Sequence, residues 1–595
     1  MKAPAYRVSR RRFLRDSTLV SVGMIAASCA PGTSTPTATQ GGTVKKGGAF
    51  HGAWPYQLPP AHHFNSFVSA TAILGPSSIY VDLMQPNLGI YNWGDAKWEY
   101  LLAESTKTSG NAYEVKLRSG LKWSDGAAVS SKDVVTTYTI GRMEGFGIWS
   151  YIDKVEAVDD LTVRFTYKTL TTLGERLILR NSIRPDSIYG AIAKKAGDLF
   201  AQGKTTASDE VKAVRTELQA LRPTVYVASG PYKMDHSTLT ASQVTLVRNP
   251  GGLFADKVNF DKVVVYQGET AEVTPLVLAG DVDYATHGFP VATDKAMQDA
   301  GLRIVRGPLF TGPALYLHWE KAPQFQDKRL RQAVAHAINR QESGTIAYGQ
   351  SARAPKYMAG YSDGIVENWI SSADRGKLNS YSFDRAKADS LLREAGYAKG
   401  SDGIYAKEGK KLEFELYFPS DFADWSSAAE HASKSLNEFG IKITLRGAQR
   451  AQQLTDFNNG NFQIALNAWG IANPHPQQSL VRPIREYSVT PAGGGMKYPL
   501  KATTTTAGEI DWQAMLDQSA EGSDIEKQKP IVTKLTLAYN ELLPAIPLWE
   551  RLGNNPLNTQ KRVAGWPPDG DKIYQQGGGD NFAVKLILDG RLYGK

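Results

Sequence analysis

Residues 113–126 read YEVKLRSGLKWSDG, and residues 131–134 read SKDV. Apolar and polar side chains alternate with period two through 113–117, the pattern of a strand buried on one face. The stretch then closes in a turn: Asp125 is suited to bond its own backbone, Gly126 to take a positive φ, and Trp123 to pack beneath. Ser131 opens a capped helix that continues to Tyr138, with Asp133 early, where a negative charge suits the helix dipole. Strand, turn and helix in such quick succession favour mixed α/β architecture over a bundle or a sandwich.

Working outward, the string LTVRFTY at 161–167 repeats the alternation and predicts a second half-buried antiparallel strand. Residues 327–339 have a helical period that puts Leu330, Val334, Ala337 and Ile338 on one face. Asp327 and Arg331, four apart, can pair along that helix for about 0.2–0.5 kcal/mol. Another helix runs from Asp384 through Ala388, Leu391 and Leu392 to a stop at Gly396. Strand patterns recur at 412–417 and 462–466.

The amino terminus is an address. SRRRFLR at 9–15 reads as a twin-arginine export signal, followed by an apolar run to Ala27 and then Ala-Ala-Ser-Cys at 26–29. That tetrapeptide resembles a lipobox, which implies cleavage before Cys29 and a diacylglycerol on its thiol. The run is too short to span a bilayer as a helix. Residues 1–28 are therefore expected to be a signal and 29–47, rich in Thr, Gly and Pro, a flexible tether. Cys29 is the only cysteine, so disulfides, Cys-ligated zinc and thiol catalysis in the mature chain are excluded.

The net charge of +9 does not indicate nucleic acid. Six cations and one acid of the leader account for most of it, leaving +4 on the rest of the chain, with no basic run interleaved with aromatics. More informative are 12 Trp and 27 Tyr, a large stock of flat, hydrogen-bonding surfaces. The chain is also far beyond the size at which one core divides, so two or three lobes are expected.

The quoted motif is joined, in order, by Gly230-Pro231-Tyr232, Arg248-Asn249-Pro250, LAGDVD at 278–283, DKRLRQAVAHAIN at 327–339 and PAIPL at 544–548. Together these resemble the signature of family 5 extracellular solute-binding proteins, the peptide, nickel and oligosaccharide receptors of ABC importers. The resemblance implies an α/β, two-lobed periplasmic-binding-protein type II fold in its large form, with an extra subdomain in lobe I. Lobe I is expected at 48–308 and 549–595 and lobe II at 309–548, with 309–319 and 542–549 as the two crossing segments. Glycine and proline at 307–308 and 312–313 suit a hinge. The implied protein is anchored outside the cell membrane by lipid, shuts around a solute and presents it to a permease and ATPase. Neither catalysis nor a cofactor is expected.

Peptide receptors of the family carry an Asp three residues after a cleft Trp, and often a cation three residues before it. Here Trp469 is flanked by Ala472 and Leu466 at those places. A desolvated ammonium without a counter-charge costs several kcal/mol, so the expected cargo is a neutral oligosaccharide, with oligopeptide as the alternative. Trp469 is the expected stacking platform, Asn473 and His475 its polar companions, and Trp425 and Trp54 further ring surfaces. His51, His62 and His63 raise nickel or a metal chelate as a weaker rival, with no metal motif to support it. An exported glycoside hydrolase stays open, because paired carboxylates are spatial rather than sequential. A sensing or chaperone-like lipoprotein without a transporter would share the same fold.

Overall fold

The computed structural model describes residues 45–55, 63–68 and 78–595. The export signal, Cys29, nearly all of the tether and His62 lie outside the described residues.

The first sheet has four strands: β1 (Ala49–Trp54), β2 (Tyr232–Asp235), β3 (Gln243–Arg248) and β4 (Lys262–Gln267), in spatial order β1-β4-β3-β2. β1 runs parallel to β4, from Ala49 opposite Lys262 to Trp54 opposite Gln267, and the other pairs are antiparallel. A second four-stranded sheet is built from 103–109, 112–117, 162–167 and 152–157 and contains the opening motif. The motif folds as its chemistry suggests. Ala127 donates its amide to Asp125 Oδ1 at 3.0 Å, Gly126 has φ +93°, and Trp123 is buried. The helix spans Ser131–Met143, but its cap is Ser130 rather than Ser131: the Ser130 amide donates to Asp133 Oδ2 at 2.7 Å. That helix packs with two others, Asp186–Ala201 and Asp209–Ala220, over a small apolar core of its own.

The chain leaves this region through β5 (Arg303–Val305) and enters β6 (Pro308–Leu317), the central strand of a seven-stranded sheet. β7 (Glu413–Pro419), β8 (Lys442–Ala448) and β9 (Ile464–Trp469) lie on one side of β6, with β7 parallel to both β8 and β9. β10 (Glu550–Leu552) pairs with β6 on its other side, and β11 (Asn555–Leu557) returns to pair with β5. The two expected crossing segments lie side by side, Ala314 opposite Pro547 and Tyr316 opposite Ala545. β10 still belongs to the seven-stranded sheet. Gly312 is required by closeness: a Cβ there would sit 1.9 Å from the Trp549 carbonyl oxygen.

Helix Lys328–Ala337 buries Leu330, Val334, Ala337 and, just past its end, Ile338. The expected pairing of Arg331 with Asp327 does not occur. Asp327 caps the helix and pairs with Arg329 at 2.6 Å, while Arg331, 2% exposed, donates to the carbonyls of Leu542 at 2.6 Å, Gln326 at 3.1 Å and Phe325. A weak surface pairing loses to three carbonyls that burial would otherwise leave without partners. Helix Arg385–Glu394 is capped by Asp384, which accepts from the Lys387 amide at 2.9 Å, and ends before Gly396 at φ +89°.

The apolar cores divide the chain. One draws on residues between 50 and 305 and again between 557 and 592, whereas two others lie wholly within 310–549. The molecule therefore has two lobes, joined where β5 leads into β6 and β10 into β11.

Candidate functional site

In α/β sheets ligands collect beyond the carboxyl ends of parallel strands. In the first lobe β1 and β4 end at Trp54 and Gln267, and in the second β7 and β9 end at Pro419 and Trp469. Residues following the ends of β1, β4 and β7 meet around a small cavity of about 80 Å³. Pro55, Glu269, Thr286 and Gly288 come from the first lobe, Asp421 and Asp424 from the second, and Arg551 from β10. Pro55 and Thr286 also line a neighbouring cavity of about 160 Å³ with Trp54, Leu309, Gln576 and Asn581. The second cavity adjoins the first on the first-lobe side, with Leu309 of the crossing strand in its wall.

Its electrostatics are dominated by carboxylates. Glu269 is an exposed residue overall, yet its carboxyl is pushed up to about 7, first by burial on the cavity side and then by repulsion from Asp421 and Glu272. Asp424, 5% exposed in the first turn of helix Ala423–Phe439, is raised by burial and restrained by Arg551, whose guanidinium lies 3.8 Å away. Arg551 thus acts on both Asp424 and Glu269. His287, whose Nε2 lies 2.7 Å from the Gly268 carbonyl oxygen, is driven down to about 4 by burial and stays neutral as a strut.

Of the residues expected to contact cargo, Trp54 lines this space. Trp425 is buried behind Asp424, with the Phe422 ring edge-on at 5.8 Å. Trp469 is 2% exposed and donates its indole N–H to the Trp549 carbonyl at 3.1 Å. Asn473 accepts from the His475 amide at 2.9 Å, and both residues are buried. The His475 ring lies 3.3 Å from Gln528 Oε1 and edge-on to Trp369 at 4.4 Å, and burial drives its pKa down to about 4. These three side chains brace the loop that follows β9. Ala472 in that loop faces Gly578, and its carbonyl accepts from Arg176 of the first lobe at 3.2 Å. Among the described residues no group of three or more His, Cys, Asp or Glu is placed to hold a metal, and no helix is long and apolar enough to cross a membrane. Sequence reasoning did not single out Glu269, Asp421, Asp424 or Arg551. Their one common signal is position, just past or within strands that reach the lobe interface.

Two lobes joined by two crossing segments, with a polar space where they meet, have the geometry of proteins that close around a ligand by hinge motion. The family of bacterial extracellular solute-binding proteins, family 5 (middle region), matches residues 97–485, and the chain belongs to it. A probable ABC transporter-binding protein of Deinococcus radiodurans is 25% identical over 490 residues, 75% of this chain and 77% of the relative. The oligopeptide-binding protein AppA of Bacillus subtilis is 24% identical over 393 residues, 62% of this chain and 65% of AppA. Among solved structures, a periplasmic oligopeptide-binding protein of Thermotoga maritima with bound mannohexaose has a TM-score of 0.70 at 19% identity, covering 92% of this chain and 98% of that one. NikA of Brucella suis with Fe(III)-EDTA gives 0.69 at 20% identity, covering 92% and 100%. The architecture is the two-lobed type II periplasmic-binding-protein fold.

Proposed function

We propose that this receptor captures an amine-bearing solute of the peptide class and delivers it to an ABC permease and its ATPase, tethered outside the membrane through lipid on Cys29. The lobes follow 48–308 with 549–595 and 309–548, except that the return strand extends the second lobe's sheet by a few residues. One observation carries the cargo reading: Glu269, Asp421 and Asp424 converge from both lobes on a cavity where, among the described residues, Arg551 is the guanidinium present. The case for a neutral cargo rests on Ala472 and Leu466 standing where an acid and a cation are expected. These carboxylates supply the missing counter-charge for an ammonium from other segments, and each lobe contributes, so cargo contact and closure are coupled. AppA, named as an oligopeptide-binding protein, agrees with this reading.

A neutral oligosaccharide is the second reading. It is favoured by Trp54 in the adjoining cavity and by the Thermotoga maritima neighbour crystallised with mannohexaose. Calorimetric titration of the full chain in detergent separates the two. Tri- and tetrapeptides with free amino termini are expected to bind, their N-acetylated forms at least tenfold more weakly, and Glu269→Gln with Asp424→Asn to lose most of the affinity. Binding of mannohexaose without binding of peptides would reverse the cargo assignment and leave the receptor class standing. Turnover of any bound solute would remove the receptor class itself.

A further inference from the structure

The strands that join the lobes are a wall with space on both faces. Along 306–310 successive residues border cavities on opposite sides of the chain. Gly307 and Leu309 border the cavity of Trp54, while Arg306, Pro308 and Phe310 border a different cavity of about 620 Å³. On β10, Arg551 turns to the acidic cavity and Leu552 to this larger one. The larger cavity therefore lies behind the joining strands, opposite the cargo space, and its volume falls in the range of about 300–1,000 Å³ usual for small-molecule sites.

Its two walls differ in chemistry. The first lobe contributes Tyr91 and Trp93, with their rings edge to face at 5.2 Å. Trp93 is held firmly: its indole N–H donates to Asp580 Oδ2 at 2.9 Å, and its face stacks on Phe310. The second lobe contributes charge. Arg353 is paired with Glu550 at 2.8 Å, and at the first-lobe edge Arg306 is paired with Asp294 at 2.6 Å, so neither guanidinium is left uncompensated. What remains is Lys356, exposed with its ammonium 4.8 Å from the Tyr357 ring, beside the carboxylates of Asp363 and Glu367. Asp363 accepts from the backbone amides of Lys356 and Tyr357 at 2.9 and 3.2 Å, and Glu367 from the Tyr357 hydroxyl at 3.1 Å, so both carboxylates are held beside the Lys356 backbone. An ammonium-plus-carboxylate solute with a flat apolar group matches these walls: acids for its ammonium, Lys356 for its carboxylate, and Trp93 with Phe310 for its ring.

We propose that this cavity is a second ligand site, for a free aromatic amino acid, and that its occupation biases lobe closure. The bias follows from contact with both lobes and with Phe310, which lies on the crossing strand at φ +59° beside a register shift between Pro308 and Thr311. A ligand that touches both lobes favours the arrangement in which its two walls stand at the right separation, and it shifts cargo affinity by the same factor that cargo shifts its own. The coupling rests on the receptor reading above, whereas the binding site does not.

The test uses L-tryptophan as probe, titrated calorimetrically into the full chain in detergent without cargo. Saturable binding is expected in the unaltered protein and in Glu269→Gln, with at least tenfold weakening in Lys356→Ala and in Trp93→Ala. Lys356 is exposed, so its variant keeps the test sound should Trp93→Ala fail to fold. Absence of tryptophan binding, its survival in Lys356→Ala, or its loss in Glu269→Gln would each overturn the site. With tryptophan saturating, peptide affinity is expected to change at least threefold, and an unchanged value would overturn the coupling alone.

Discussion

The indole of Trp93 lies flat against the ring of Phe310, with centroids 4.1 Å apart and planes 25° apart. One ring belongs to the first lobe and the other to the strand that leaves it, at a residue whose backbone is left-handed. Such a conformation costs a non-glycine residue about 1–3 kcal/mol, and a stacked aromatic pair returns about 0.5–1.5 kcal/mol beyond its burial. The strained point of the crossing is thus held by its side chain rather than by its backbone preference.

Phe310 should accordingly invert the usual ranking of small substitutions. Phe310→Ala is expected to lose about 3–5 kcal/mol through the emptied volume. At an ordinary strand position glycine would be worse still, but here it removes the left-handed penalty, so Phe310→Gly should match or exceed Phe310→Ala by up to about 1 kcal/mol. Urea midpoints of the two variants decide it, and a clearly lower midpoint for glycine would refute the strain.

Glu269 gives a pH signature with a defined sign. The folded protein keeps its proton up to about pH 7, whereas the unfolded chain releases it near 4.5, so between those values the folded state binds more protons. Stability contributed by this residue therefore falls as pH rises from 4.5 towards 7 and stays reduced above. Glu269→Gln should raise the melting temperature at pH 8 and change it little at pH 4, by a modest amount because part of the side chain is in water. Affinity for an amine-bearing cargo should move the opposite way, rising from pH 6 to pH 8 as the carboxylate appears.

Arg331 offers a test of the second lobe's frame. Its guanidinium satisfies three backbone carbonyls from two segments, and hydrogen bonds to a charged donor contribute about 1.5–3 kcal/mol each. Arg331→Met should cost about 3 kcal/mol or more in denaturant unfolding, and Arg331→Lys should recover only part, since an ammonium cannot reproduce the planar fork. A loss below about 1 kcal/mol for the methionine variant would contradict the assignment.

These residues also show what the sequence could and could not convey. The strand, turn and helix around Trp123 were legible because their determinants are local: alternation, an Asx turn and a glycine. The cap moved by one residue because adjacent serines compete, and the winner is the one with an acid three positions on, Ser130 with Asp133. Arg331 was misread because its partner carbonyl on Leu542 lies 211 residues away, where no helix-surface rule reaches. The cargo residues were harder for the same reason. Trp469, Asn473 and His475 are buried in this structure, and the aromatic count by itself does not separate a wall from a core. Glu269, Asp421 and Arg551 come from three distant segments, and only the topology gathers them.

The two-sided wall also bears on how this receptor can diverge. Odd and even positions between Arg306 and Phe310 serve different chambers, so replacing one letter retunes a single chamber, whereas adding or deleting one residue would exchange their linings along the strand. Drift in composition is therefore tolerable in this stretch and drift in length is not, and an indel here should be lethal to selectivity even where the protein still folds.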